Sequence, residues 1–185
     1  MERCFHCNEP VPPGTNYCLE AKGETRRFCC PGCRAVAELI SSQGFSRFYD
    51  FRSAPALKAT EREGPDDAWS VCDRPEVERR LARSVGAGRK ELRYRVDGVN
   101  CAACAWLIDR GLSVCDGVEE VSVDPVSREV LVRFDPERVR VSEILDATER
   151  YGFVPRLVSG ANDQSDRRAA RAELKRLAVA GLGFA

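Results

Sequence analysis

The sequence predicts an α+β protein, in which a ferredoxin-like βαββαβ domain follows a small zinc-ribbon-like segment rich in cysteine. Three observations support this. Residues 91–158 alternate between the apolar spacing of strands and that of helices. Six of the ten cysteines lie within the first 33 residues. A further pair, Cys101 and Cys104, lies between the first predicted strand and the first predicted helix of the domain.

Each element of residues 91–158 is predicted from the spacing of its apolar residues. Apolar residues two apart indicate a strand, and apolar residues three or four apart indicate a helix. The resulting order is strand, helix, strand, strand, helix, strand, which is the ferredoxin-like arrangement. The positions that define the six elements are, in order, Leu92, Tyr94 and Val96; Ile108, Leu112 and Cys115; Val118, Val121 and Val123; Val130, Val132 and Phe134; Val141, Ile144, Leu145 and Thr148; and residues 153–158.

The pair Cys101 and Cys104 lies on the loop that enters the first helix of this domain. Two thiolates separated by two residues can converge on one ion, and soft sulfur ligands favour Cu(I). Backbone amides at the start of a helix stabilise thiolates and lower their pKa. Zinc normally takes four ligands, and only two are evident here. The pair is therefore predicted to bind Cu(I).

The N-terminal cysteines form two C-x-x-C pairs separated by 22 residues. This spacing is typical of a four-thiolate zinc site. About forty residues supply too little apolar volume to fold alone, so a metal would stabilise the segment. A structural site is favoured over one that passes metal on, although both interpretations remain open. The predicted zinc ligands are Cys4, Cys7, Cys30 and Cys33, with Cys29 or Cys18 as alternatives. His6 is predicted to be a solvated loop residue.

Four regions follow from composition. Residues 1–52 form the cysteine-rich zinc-knuckle segment with its following helix, and residues 53–90 a linker with a short helix at 75–85. Residues 91–158 form the ferredoxin-like domain. Residues 159–185 are a basic tail ending in nine apolar residues, far fewer than the roughly 20 that span a bilayer. The tail is predicted to lead into a truncated first transmembrane helix, with an amphipathic C-terminal helix as the alternative.

Charge and the N-terminus limit the possible functions. Basic and acidic residues number 29 each, so no overall attraction to nucleic acid is expected. The first cysteine pair leaves no room for a signal peptide, which predicts a cytosolic location. Cysteines in a reducing compartment are more economically interpreted as metal thiolates than as disulfides.

Several motifs resemble those of one family. The run GVNCAAC at 98–104, followed by Gly117-Val118 and by Tyr151-Gly152-Phe153, is similar to the heavy-metal-associated domain of soft-metal P-type ATPases and copper chaperones. The resemblance implies Cu(I) binding at Cys101 and Cys104. Asn100 is neutral where zinc-handling members commonly carry aspartate, which favours copper. Methionine is usual in the family at the position of Val99.

The resemblance covers nearly the whole chain. CFHC at 4–7, FCCPGC at 28–33, Phe48-Tyr49 and CAACAWLI at 101–108 occur in this order in the copper-exporting ATPases associated with assembly of cbb3-type cytochrome oxidase. This implies a cytosolic region on the inner face of the bacterial inner membrane, with a copper chaperone or other Cu(I) donor and the rest of the ATPase as partners. The sequence lacks the phosphorylation motif Asp-Lys-Thr-Gly, the membrane Cys-Pro-Cys and a nucleotide-binding domain, so no enzyme activity of its own is expected.

Two alternative functions are compatible with parts of the sequence. A dithiol redox protein of thioredoxin type would use Cys101 and Cys104 for exchange chemistry, but the predicted strand order differs from the thioredoxin pattern. A metal-sensing zinc-ribbon regulator would bind nucleic acid through its N-terminal cysteines, but the basic cluster it needs is missing.

Overall fold

The computed structural model describes residues 2–21, 23–59 and 68–158. The predicted basic tail at 159–185 lies outside these residues. Within the described parts, the helices are all too short or too polar to cross a lipid bilayer.

The N-terminal region consists of one hairpin and two helices. The strands β1 (Cys18–Ala21) and β2 (Glu24–Arg27) pair antiparallel. Helix α1 spans Pro31–Ser42 and begins with proline, whose fixed φ suits the first helical position. The short helix α2 spans Phe48–Phe51. The helix expected after the second cysteine pair is thus present and begins within that pair.

Residues 68–86 lead from the N-terminal region into the main sheet. A 3-10 turn at Ser70–Asp73 is followed by helix α3 (Pro75–Leu81) and strand β3 (Ala82–Gly86). The helix predicted at 75–85 ends earlier, at Leu81, because the following residues pair with the next strand instead.

The second half of the chain has the predicted order β-α-β-β-α-β. The elements are β4 (Arg89–Asp97), α4 (Ala102–Ser113), β5 (Val118–Asp124), β6 (Glu129–Phe134), α5 (Val141–Arg150) and β7 (Val154–Leu157). All strand pairs are antiparallel. The ferredoxin-like fold is confirmed.

Strand β4 pairs with three other strands. The order of the sheet is β3-β4-β6-β5, and β7 also pairs with β4. Its first half pairs with β3 and its second half with β7, so these two short strands share one edge. Alternate residues of β4 point into the core: Leu92, Tyr94 and Val96 are completely buried. This burial follows from the period-two pattern of the sequence.

The N-terminal region packs directly on the ferredoxin-like domain. The Phe45 ring lies edge-on to Trp106 with centroids 5.9 Å apart, and 6.2 Å from the ring of Tyr151. Buried residues of both regions form one continuous apolar cluster. The two groups of cysteines are therefore held within one packed structure.

Candidate metal centres

The first centre is the pair Cys101 and Cys104. Cys101 is the N-cap residue of α4, with an extended backbone, and Cys104 lies in the first turn of the helix. Their Sγ atoms are 3.4 Å apart, which is too far for a disulfide, and both thiols are free. Cys104 is only 2% exposed, whereas Cys101 is partly exposed. One sulfur can thus be reached from outside while the other lies beneath it.

The two thiols of this pair have opposite pKa shifts. Burial raises the pKa of Cys101, but hydrogen bonds from the backbone N–H groups of Ser53, Cys104 and Ala103 and from the Cys104 thiol outweigh it, so the net shift is downward. Burial raises the pKa of Cys104 to about 11, although its hydrogen bond with the backbone of Asn100 opposes the shift. Cys101 is therefore the first of the two to become a thiolate.

The second centre is a cluster of four buried cysteines in the N-terminal region. The Sγ atoms of Cys4, Cys7, Cys29 and Cys33 all lie within 4.8 Å of one another. The distances are 3.5 Å from Cys7 to Cys29, 3.8 Å from Cys29 to Cys33, and 3.7 Å from Cys33 to Cys7. A tetrahedral zinc ion with Zn–S bonds of about 2.3 Å would place its sulfurs roughly 3.8 Å apart. The cluster has the dimensions that such an ion requires.

The structure brings Cys29, and not the predicted Cys30, into this cluster. Cys30 is the N-cap of α1: its Sγ accepts a hydrogen bond from the N–H of Cys33 at 3.4 Å and lies 3.6 Å from the carbonyl oxygen of Ala59. The alternative ligand Cys18 is exposed on β1, with its sulfur beside the carbonyl of Asn16. The Cys30 sulfur caps the start of α1 and is not one of the four sulfurs in the cluster.

Three cysteines of the cluster have shifted pKa values, and the shifts differ in direction. A hydrogen bond from the Cys33 thiol lowers the pKa of Cys4 to about 4. That same bond, together with burial, raises the pKa of Cys33. Burial raises the pKa of Cys29 to about 12, and the neighbouring Cys7 and Cys4 add to the shift. A bound cation would offset the repulsion between neighbouring thiolates, and all four sulfurs could then ionise.

His6 is buried, not solvated as predicted from its place between two cysteines. It is 1% exposed, and its Nδ1 lies 3.0 Å from the hydroxyl of Tyr49. Burial and the nearby Arg52 guanidinium lower the pKa of His6 to about 4, so the ring is neutral at neutral pH. Its Nε2 has no hydrogen-bond partner among the described residues. The sequence prediction failed because packing beneath Gly152 buries the loop.

Comparison with known proteins identifies both regions. A family model for the "Heavy-metal-associated domain" matches residues 93–153. A second model, described as "Putative metal-binding domain of cation transport ATPase", matches residues 3–86. The matched regions resemble the metal-binding domains of P-type ATPases, not a catalytic domain.

Three relatives illustrate the similarity. The copper-exporting P-type ATPase of Bacillus subtilis is 26% identical over 159 residues, which are 84% of this chain and 19% of that protein. The mercuric transport protein periplasmic component of Pseudomonas fluorescens is 33% identical over 69 residues, which are 37% of this chain and 76% of that protein. The solved water-soluble region of the P-type ATPase CopA from Bacillus subtilis has 31% identity and a TM-score of 0.36, over 38% of this chain and 47% of that one.

The chain thus spans only a small part of the ATPase it matches over most of its own length. The observed strand order and the two family models agree with the resemblance to the heavy-metal-associated domain of P-type ATPases that the sequence indicates. Residues 3–86 match the model described as a putative metal-binding domain of cation transport ATPase, and through residues 93–153 the chain belongs to the heavy-metal-associated domain family.

Proposed function

We propose that Cys101 and Cys104 bind Cu(I), and that this region passes the ion to the membrane part of a copper-exporting P-type ATPase or regulates it. The observation that carries the proposal is the pair of free sulfurs 3.4 Å apart at the N-terminus of α4, one accessible and one buried. Two soft ligands at this spacing suit a soft monovalent ion. The B. subtilis relative is a copper exporter, which supports copper as the cargo.

The geometry supports an ordered exchange of ligands. Cys101 is accessible and its pKa is lowered, so its thiolate reaches the Cu(I) of a donor first. A three-sulfur intermediate forms from Cys101 and two donor thiolates. Cys104 then loses its proton to solvent and replaces a donor sulfur, because metal binding favours the deprotonated form of a thiol. The ion is transferred without oxidation or covalent chemistry.

We further propose that Cys4, Cys7, Cys29 and Cys33 hold one zinc ion that stabilises the N-terminal region. Four buried sulfurs at tetrahedral distances support this assignment. All four lie in the apolar cluster and belong to three separate parts of the chain. The ion would tie the first turn to α1 and to the residues between β2 and α1, which suits a structural role.

The location and partners proposed for the chain follow from the ATPase assignment. The donor is a copper chaperone or another protein with a two-thiolate site. Residues 91–158 contain nine basic and thirteen acidic residues, so a basic face on the donor would be complementary. We place the region on the cytoplasmic face of the bacterial inner membrane, in the subgroup associated with cbb3-type oxidase assembly. The observed β-α-β-β-α-β order argues against the thioredoxin alternative.

The metal content of a double variant tests the copper site. Purified, reduced protein should contain about one Cu(I) and one zinc, and Cys101→Ser/Cys104→Ser should lose the copper and keep the zinc. Cys115→Ser is the matched control, because Cys115 is a partly buried thiol near the other end of α4, with its sulfur 3.7 Å from the carbonyl of Gly111. Tight copper binding retained by the double variant refutes the site.

A further inference from the structure

Two arginines face each other on the outer face of the sheet, which is the face turned away from the buried core. Residues of β4 alternate between the two faces, and because Tyr94 and Val96 are buried, Arg95 lies on the outer face. The register of the β4–β7 pair places Arg156 directly opposite Arg95. Like charges at such positions repel and destabilise a sheet. An anion bound between the two guanidinium groups would offset this repulsion.

A third arginine, Arg128, ends the turn between β5 and β6. Its backbone has a positive φ of 58°, a left-handed conformation that glycine adopts at lower cost than arginine. Its carbonyl oxygen accepts a hydrogen bond from the N–H of Val96 at 2.9 Å, which holds the turn beside β4. An arginine at a position better suited to glycine indicates that its side chain has a role there.

The three arginines line one cavity of about 460 Å³, called here the arginine cavity. Among the described residues of its lining, Asp97 is the only acidic one, and it pairs with Arg156 at 2.8 Å. Three arginines and one aspartate give the lining a net charge of +2. Glu129 lies opposite Arg95 on β6, but its carboxylate pairs with Arg93 at 3.8 Å. In the part of the chain that the structure describes, only Arg156 of the three has an ion-pair partner.

Part of the wall of the arginine cavity is apolar. Leu157 and Val158 line it, and Leu157 is 37% exposed although it is a large apolar residue. Sites for small molecules have volumes of roughly 300–1,000 Å³, and the cavity lies within this range. A ligand with an anionic head and a short carbon chain would contact both the guanidinium groups and Leu157.

We propose that Arg95, Arg128 and Arg156 form a binding site for a phosphate ester. Each guanidinium is a planar fork of N–H donors that matches the oxygens of a phosphate, and a phosphate offers more acceptor oxygens than a single carboxylate. The carbon chain of the ester lies against Leu157. Soluble phosphate esters and the headgroups of anionic phospholipids share this chemistry. The site is separate from both cysteine centres and does not depend on the proposed copper function.

Titration of the full chain with glycerol phosphate tests the site. Ionic strength is kept constant with sodium chloride, and NMR of the isotopically labelled chain follows the Nε–H signals of the arginines. The signals of Arg95, Arg128 and Arg156 should shift together and reach saturation. Arg95→Gln should weaken binding about tenfold, because a charge-assisted pair of hydrogen bonds is lost. Arg83→Gln is the matched control, since the Arg83 guanidinium lies on the same sheet but pairs with Glu91 at 2.7 Å.

Arg128→Gly separates loss of binding from loss of folding. Glycine suits the positive φ of this position, so the midpoint of thermal unfolding should stay unchanged or rise. The affinity for glycerol phosphate should nevertheless fall about tenfold, as for Arg95→Gln. Equal affinities of the unmodified chain, Arg95→Gln and Arg128→Gly overturn the proposal, and so does a set of shifts that sodium chloride alone reproduces.

Vesicles distinguish the two sources of the phosphate ester. Sedimentation with vesicles of phosphatidylcholine and phosphatidylglycerol is compared with sedimentation with vesicles of phosphatidylcholine alone. If Arg128→Gly reduces binding to the anionic vesicles and Arg83→Gln does not, the site takes a lipid headgroup. If the variants bind these vesicles equally but differ in their affinity for glycerol phosphate, the ligand is a soluble ester. Either result supports the site.

Discussion

The choice between two adjacent cysteines gives the sharpest prediction about the N-terminal centre. Cys29→Ser should greatly reduce zinc binding, whereas Cys30→Ser should leave it unchanged. Cys29 lies 3.5 Å and 3.8 Å from two other sulfurs of the cluster. The sulfur of Cys30 contacts only the N–H of Cys33 and the carbonyl of Ala59 among the hydrogen bonds found in the described residues. The pair is matched, since both changes replace sulfur by oxygen at neighbouring positions.

The expected magnitude follows from the number of ligands. Structural zinc sites contribute about 10–16 kcal/mol of apparent binding free energy at pH 7, shared among four ligands. An equal share for Cys29 is about 3 kcal/mol, which corresponds to a zinc dissociation constant larger by roughly a hundredfold. Cys30 acts as a helix N-cap, and serine is a better N-cap than most residues. Its replacement should change the free energy of unfolding by less than about 0.5 kcal/mol.

Zinc competition with a chromogenic chelator measures both affinities on the same purified chains. Circular dichroism during thermal unfolding reports stability in parallel. The reasoning is refuted if Cys30→Ser loses zinc as strongly as Cys29→Ser, since the sulfur of Cys30 would then have to be a ligand in place of its cap role. Loss in neither variant would refute the four-cysteine site.

Two further predictions concern the ferredoxin-like domain. In the metal-free, reduced protein, iodoacetamide should modify Cys101 well before Cys104, because the accessible thiol has the lowered pKa and the buried one has a pKa of about 11. The modification rate of Cys101 should reach half its maximum at a pH below the ordinary pKa of a cysteine thiol, which mass spectrometry over a pH series would show. Gly111→Ala should destabilise the domain by about 1–2 kcal/mol, because the new Cβ would lie 2.3 Å from Cε2 of Tyr151 and overpacking outweighs the gain of about 1 kcal/mol in helix propensity. Urea unfolding measures this change.

The thiol modification and the Gly111→Ala substitution each have a control. Equal modification rates for the two thiols at pH 7 would contradict the assigned exposures and pKa directions. For the glycine, the same substitution in a Tyr151→Leu background should be less harmful or even stabilising, because the ring that meets the Cβ is gone. If Gly111→Ala is more stable than the unmodified chain, the Tyr151 ring moves aside at no cost in free energy, and the prediction is wrong.

Local patterns were sufficient to predict the ferredoxin-like domain. The alternation of Leu92, Tyr94 and Val96 predicted a half-buried strand, and the structure buries all three. The position of the C-x-x-C pair at the start of α4 was also predicted. These features depend on spacing along the chain, which the sequence displays directly. The strand β3 was not predicted, because its residues pair with a partner that only the folded sheet provides.

The ligands of the N-terminal centre could be predicted only in part from the sequence. The sequence determined that clustered cysteines would gather near a helix, and it left Cys29 and Cys30 as alternatives. Only the tertiary structure places the Cys29 sulfur beside those of Cys4, Cys7 and Cys33, since Cys30 is the N-cap of α1. The contact of His6 with Tyr49 and the packing of Leu57 on Gly98 join residues more than 40 positions apart. Such contacts depend on how whole elements pack together, so the spacing of residues within one segment does not predict them.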